Sequence, residues 1–200
     1  MKEIYFVTAT NTDVGKSYAC EIFLDRFAKD GKKVGYFKPI ETGVEKLPLD
    51  GTKLLNIAQK LNPDFKVTIE DVVPFMFRLP AAPIVASGFT TIDIKKIKTT
   101  LNYLLGFCDV LIIEGAGGLM VPINRDYFMI DLIKDLKAKP ILISPSNLGS
   151  INDTMLSLKL LDDYGLEYDW YINLYKDKDS FDTVTLPFYK AYFGDIKFLD

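Results

Sequence analysis

Short, nearly continuous apolar runs recur along the chain at Ile4 to Val7, Val34 to Phe37, Val110 to Ile113, Ile141 to Ile143 and Trp170 to Ile172. Each is rich in β-branched or aromatic residues and too short for a helix, so each reads as a strand. Between and after them lie stretches with helical spacing of apolar positions: Lys16 to Lys29, Thr52 to Leu61, Ile94 to Leu105, Ile130 to Leu136 and Ile151 to Tyr164. This alternation predicts an α/β fold with a mostly parallel central sheet and helices on both faces. The run Val110 to Ile113 has no polar alternation, as a central strand covered on both sides requires. Gly31 and Gly165 stand just past the first and last helices, where helix C-termini commonly place glycine. From Pro63 to Phe89, with Pro74, Pro80 and Pro83, the alternation breaks, and a long irregular connection is expected.

Composition narrows the chemistry. Two hundred residues with 48% hydrophobic content fit one globular domain spanning residues 1–200. A net charge of −3 and a pI near 5.1, with no Lys/Arg run, give no reason to expect a nucleic-acid surface. No apolar stretch approaches the ~20 residues that span a bilayer, and Ile4 to Val7 is too short for a signal-peptide core. A cytoplasmic protein with no membrane partner is the expectation. The two cysteines, Cys20 and Cys108, read as small core residues. Histidine is absent. Imidazole acid/base work, Ser-His or Cys-His nucleophiles and His-ligated zinc are therefore excluded. What remains is lysine, carboxylates, hydroxyls, backbone amides and a hard metal ion, which suits phosphoryl transfer.

In an open α/β sheet the ligand lies beyond the carboxyl ends of the strands, so the residues just after each apolar run carry most information. After the first comes Ala9-Thr10-Asn11-Thr12-Asp13-Val14-Gly15-Lys16-Ser17, leading into a helix, which is the layout of a phosphate-binding loop. Such a loop turns several backbone N–H groups toward one point at the positive end of the helix dipole. Lys16 then reaches the β/γ phosphates, and the Ser17 hydroxyl holds Mg2+. The usual pattern has glycine where Thr10 stands. After the second run, Lys38-Pro39-Ile40-Glu41-Thr42-Gly43 reads either as a lysine aimed into the crevice or as a solvated turn. After the third, Glu114-Gly115-Ala116-Gly117-Gly118, with Val121-Pro122-Ile123-Asn124 behind it, offers a carboxylate for Mg2+ and glycines that admit a ligand, or else an exposed acid in a turn. Asp50 is either the N-cap of the second helix or a member of an oxygen shell with Ser17 and Glu114. Leu148-Gly149-Ser150-Ile151-Asn152 begins a helix, either as a capped start or as an anion site. Asn173 follows the last strand and is a base reader or a turn asparagine.

Taken together, the blocks Thr8 to Ser17, Lys38-Pro39, Glu114 to Gly118 and Leu148 to Asn152 resemble those of ATP-dependent dethiobiotin synthetase, in order and in spacing along most of the chain. The resemblance implies a single-domain P-loop NTPase fold and a homodimer. It implies a ligase that uses ATP and Mg2+ to convert 7,8-diaminononanoate and CO2 to dethiobiotin, ADP and phosphate. Carried over by motif, Asp13, Val14, Gly15, Lys16, Ser17 and Tyr18 cradle the phosphates, with Gly115, Ala116 and Gly117 also on the nucleotide side. Ser17, Asp50 and Glu114 surround Mg2+. Lys38 matches the active-site lysine, with Lys16 and Thr12 as further catalytic positions, and Thr42 matches a substrate-contacting hydroxyl. Thr12, Lys38, Thr42, Gly118 and Pro122 fall on the substrate side. The helix start at Gly149, Ser150 and Asn152 receives the substrate carboxylate from the partner subunit, and Asn173 matches the adenine-reading position.

Three departures stand out. The family commonly has glycine where Ala9 stands and glutamate where Asp13 stands. The chain also stops at Asp200, earlier than in many members, so relaxed nucleotide choice or weaker ATP binding is expected. The rival reading is a ParA/MinD-like ATPase switch without synthetic activity. Those proteins usually carry a lysine early in the loop, where this chain has Thr10, and no amphipathic membrane tail is present. The amide-forming synthetase of cobalamin assembly is a second rival, but it needs a glutaminase region for which there is no room.

Overall fold

The computed structural model describes residues 2–199. Its strands are β1 (Glu3–Ala9), β2 (Val34–Phe37), β3 (Ile40–Thr42), β4 (Phe75–Phe77), β5 (Val110–Glu114), β6 (Pro122–Asn124), β7 (Tyr127–Phe128), β8 (Lys139–Pro145) and β9 (Asp169–Asn173). The helices are α1 (Lys16–Lys29), α2 (Leu49–Leu61), α3 (Ile69–Val72), α4 (Pro83–Ala86), α5 (Ile94–Leu104), α6 (Met129–Asp135), α7 (Ser150–Asp163), α8 (Lys178–Val184) and α9 (Leu186–Phe193).

All five apolar runs become strands of one parallel sheet in the order β2-β5-β1-β8-β9. Every residue of β5 is buried, as its unbroken apolar run requires of a strand covered on both faces. Full burial of side chains such as Leu111, Ile112 and Ile113 stabilises the fold by roughly 1.5–3 kcal/mol each before entropy is counted. The chain leaves β1 through α1 toward β2 on one side, while β8 and β9 lie on the other. The carboxyl end of β1 is thus a switch point in strand order, where open sheets of this kind form their crevice. Cys20 and Cys108 are both free and buried, as expected of core residues.

Several boundaries differ from the expected ones. Helix α2 starts at Leu49 rather than Thr52, with Pro48 at the cap, so Asp50 is not the N-cap but part of the first turn. Proline fixes φ and tolerates the entry to a helix, which lets the turn form ahead of the apolar pattern. The stretch from Pro63 to Phe89 is less irregular than its prolines imply. It holds α3, closed by a capping box between Thr68 and Asp71, then β4, which pairs in parallel with β3, and α4, with Pro83 at its first turn. Helices α8 and α9 were not expected at all. Phe181, Leu186 and Tyr189 form a small second core with Ile172, and Phe198 bridges alongside Ile172, so residues 178–199 cover the open edge at β9.

Candidate active site

A cleft of about 1180 Å³ opens at the carboxyl ends of β1, β2, β5 and β9. Its walls bring together Thr12, Asp13, Gly15 to Tyr18, Lys38, Thr42, Asp50, Gly115 to Gly117 and Asn173, residues drawn from separate parts of the sequence.

The phosphate loop is shaped by two residues with positive φ, Asp13 at 57° and Gly15 at 100°. Gly15 has no alternative at its position: a Cβ there would lie 2.3 Å from Asn173 Nδ2. That amide donates to the Val14 carbonyl at 2.9 Å, and the Tyr175 hydroxyl donates to the Asp13 carbonyl. The last strand therefore braces the loop from outside. The Val14 side chain turns into the core, leaving only its backbone for a ligand. Lys16 is nearly buried and donates to the Asn11 carbonyl at 3.1 Å. Burial lowers its pKa from the ordinary 10.5, with the Glu114 carboxylate opposing that and the neighbouring Lys38 charge adding to it.

Across the cleft, Glu114 ends β5 with its carboxylate buried. Oε1 accepts from Ser17 Oγ at 2.9 Å and from Lys38 Nζ at 2.5 Å, and Oε2 accepts from the Tyr36 hydroxyl at 2.8 Å. Lys38 Nζ also reaches Asp50 Oδ2 at 3.3 Å. Neither Lys38 nor Glu114 is a solvated turn residue. Burial alone would lower the Lys38 pKa, yet the Glu114 and Asp50 carboxylates outweigh it and the net shift is upward. Both carboxylates favour the charged, ammonium form of Lys38.

The expected metal residues converge here. Lys38 Nζ bridges Glu114 and Asp50, and Ser17 bonds the Glu114 oxygen that Lys38 also contacts. Among the described residues no group of three or more Asp, Glu or Cys side chains is placed to hold a metal unaided. Two carboxylates with a hydroxyl nevertheless fit Mg2+, which prefers hard oxygen donors and usually takes one or two carboxylates together with substrate phosphates and water.

Other expected residues lie elsewhere. Gly118 lines a smaller hollow with Thr10, Asn11, Leu119 to Val121 and part of α7, and a Cβ at Gly118 would come within 3.0 Å of the Thr10 carbonyl. Its smallness serves packing against the phosphate loop, and Pro122 in β6 does not line the main cleft, where Val121 does. Gly149, Ser150 and Asn152 are outside their own chain's cleft. Gly149 supplies the left-handed turn before α7, the Ser150 hydroxyl points inward to Tyr189 at 3.4 Å, and Asn152 is exposed. Among the residues that were not anticipated, Glu41, Tyr175 and Lys178 line the cleft and Tyr36 bonds Glu114 beneath it. The Tyr36 hydroxyl carries a usable signal, since a tyrosine in a fully buried strand needs a partner for its O–H.

The chain is similar to known proteins in family, sequence and fold. The family described as an AAA domain matches residues 3–168. An ATP-dependent dethiobiotin synthetase from Sulfurovum is 48% identical over 189 residues, covering 94% of this chain and 90% of that protein. Proteins of the same name from Wolinella succinogenes and Methanocaldococcus jannaschii are 37% and 40% identical, covering 92% and 80% of this chain and 87% and 74% of their own lengths. In fold, the chain is similar to the MinD cell division protein of Aquifex aeolicus, with a TM-score of 0.56 at 18% identity over 97% of this chain and 80% of that one. A plasmid partition protein from Borrelia burgdorferi has a TM-score of 0.58 at 12% identity, covering 98% and 87%. At such identities these two likenesses report the P-loop NTPase architecture alone, whereas the sequence relatives carry the assignment. The chain belongs to the ATP-dependent dethiobiotin synthetase family, ligases of biotin biosynthesis.

Proposed function

We propose that residues 1–200 act as one synthetase domain that carboxylates 7,8-diaminononanoate with CO2 and closes the cyclic urea of dethiobiotin, releasing ADP and phosphate. The observation that carries this reading is the Lys38 ammonium, buried between Glu114 and Asp50 and facing the same cleft as the phosphate loop. A synthetase that activates a carbamate needs a second fixed cation besides the loop lysine, because two anions must be brought together.

One neutral amine of the substrate adds to CO2, forming a C–N bond as one C=O π bond opens, and releases a proton to solvent to give a carbamate. Lys38, with the Thr12 and Thr42 hydroxyls along the cleft wall, orients the carbamate oxygen toward the γ-phosphate. Lys16 and the loop N–H groups then stabilise charge as the phosphoryl group passes to that oxygen and ADP leaves. The second amine attacks the carbamic-phosphoric anhydride carbon, phosphate departs with the C–O electron pair and takes up the proton the amine releases, and the ring closes. Mg2+, held by Ser17, Asp50 and Glu114, would neutralise phosphate charge when bound. Asn173, which both braces the loop and lines the cleft, would meet the adenine edge.

The protein would act in the cytoplasm as a homodimer. The α7 start lies outside its own cleft, and its first N–H groups have no intrahelical partners. It would bind the carboxylate of diamine held in the partner's cleft. Nearby Met120, Leu148 and Leu156 are exposed apolar residues, as a subunit contact would require. Among the described residues no helix is long and apolar enough to cross a membrane.

The deciding experiment is incorporation of labelled bicarbonate into acid-stable product with diamine and Mg·ATP, beside a no-diamine control. Diamine-dependent label matched by ADP release is expected. Hydrolysis of ATP without incorporation would instead favour the switch reading. Repeating the assay with GTP and CTP tests the expectation of relaxed nucleotide choice.

A further inference from the structure

Lys38 and Glu41 are three positions apart on the segment that leaves β2 and enters β3, and both reach the first turn of α2. Lys38 Nζ holds the Asp50 carboxylate, while the Glu41 carboxylate takes the backbone of the same turn. Oε1 accepts from Asp50 N at 3.2 Å, and Oε2 accepts from Gly51 N at 2.9 Å. Helix α2 has no side-chain cap of its own, because Pro48 occupies that position. Its N-terminal donors are satisfied instead by a carboxylate from a neighbouring strand, with favourable charge for the helix dipole.

The fit is close. A Cβ on Gly51 would stand 3.0 Å from Glu41 Oε2 and 2.3 Å from Val73 Cγ2. Glu41 is itself buried at 7% exposure and lines the cleft. An ordinary Ser, Thr or Asp cap would satisfy the same N–H groups with no buried carboxylate. What Glu41 adds is registration, since it ties the turn bearing Asp50 to the segment bearing Lys38, so the spacing from Asp50 to Lys38 and Glu114 is fixed twice.

We propose that Glu41 is a positioning residue that sets the Asp50 carboxylate for the divalent metal of Mg·ATP, acting through the first turn of α2. The inference rests on the metal assignment above and does not depend on the identity of the product.

The test uses binding alone, with no diamine or bicarbonate. Affinity for a non-hydrolysable ATP analogue is measured by calorimetry with Mg2+ and with chelator, for the parent, Glu41→Gln, Glu41→Ala and the control Ala58→Gly, which weakens α2 two turns away. Loss of an outer-shell partner typically lowers metal affinity about 10-fold to 100-fold. Glu41→Ala should lose a factor of that order from the Mg2+-dependent gain in affinity, and Glu41→Gln, which keeps one acceptor, should lose less. Metal-free affinity should stay within about twofold, because the phosphate loop is untouched. Ala58→Gly should lower the thermal midpoint and leave the gain intact. A folded Glu41→Ala with the parent's gain would overturn the proposal, as would an equal loss in Ala58→Gly. A parent with no Mg2+-dependent gain would overturn both the proposal and the metal assignment, while the bicarbonate assay decides the synthetase reading separately.

Discussion

Lys16 enters the cleft from the start of α1 and gives a hydrogen bond to a backbone carbonyl, whereas Lys38 enters from the end of β2 and is clamped by two carboxylates. Both ammonium groups are largely buried, yet their proton affinities move in opposite directions from the same starting value of 10.5. Desolvation is the leading influence on each. The difference lies in what opposes it: near Lys16 mainly one carboxylate acts, against a second lysine, while Lys38 touches both Glu114 and Asp50. One cation stands at the start of α1 with little local compensation, and the other is held between two carboxylates.

Removing Lys38 should break the comparison most severely. Lys38→Ala is expected to lower turnover by ~10²–10³ while changing nucleotide affinity far less, because one charge-positioning donor is lost from the transition state. It also leaves the buried Glu114 without its cation, a change that typically costs about 3–5 kcal/mol when a buried pair is broken. Steady-state kinetics beside a thermal melt separates the two effects. Unchanged turnover in a folded variant would remove Lys38 from the mechanism.

A middle-sized effect is expected at Gly15, which sets the Lys16 side. Gly15→Ala places a methyl group 2.3 Å from Asn173 Nδ2 and strains a backbone with φ at +100°. Displacing that amide leaves the buried Val14 carbonyl without its donor, worth about 1–3 kcal/mol, or roughly tenfold or more in nucleotide affinity if the loop must be rebuilt on binding. Asn173→Ala should lose the same brace without the backbone strain, together with the adenine contact proposed for that side chain, so thermal melts without nucleotide compare the brace alone.

The smallest effect is the pH response. Lys38 has a raised folded pKa, so its contribution to stability is fully present below 10.5 and is lost only as pH rises through the higher folded value. Lys16 has a lowered folded pKa, so the unfolded chain holds the extra proton between that value and 10.5, and its contribution rises with pH in this window. Thermal midpoints of the parent and Lys16→Met, followed as pH rises toward 10.5, should therefore diverge, the parent gaining relative to the variant. Parallel curves would show that Lys16 keeps an ordinary proton affinity.

The two lysines were also unequally legible in the sequence. Lys16 sits in a local motif of strand, loop and helix, and its surroundings follow from neighbours within a few positions. Lys38 was visible only as a lysine at a strand end. Its carboxylate partners lie 12 and 76 positions away, and nothing local tells a buried pair from a solvated turn. The same holds for the fold. The five sheet strands were readable because each buried run is continuous, but α8 and α9 were not. Their apolar residues pack against Ile172 and Trp170 across the sheet edge, and their helical form depends on that docking. Glu41 escaped notice for a related reason: a lone acid in a turn looks solvated until the helix whose N–H groups it receives is placed beside it.

The brace between Asn173 and the phosphate loop has a consequence for how the chain reaches its native state. The two bonded groups, Asn173 Nδ2 and the Val14 carbonyl, belong to residues 159 positions apart, so the loop encoded first is completed by a strand encoded near the end. Contacts of such long separation pay their closure entropy late and slow the search for the fold. During synthesis the phosphate loop must wait, unbraced, until β9 has docked beside β8. Nucleotide that binds only the finished loop would then stabilise the completed chain by mass action, which would make ATP a selective stabiliser of molecules that have finished folding.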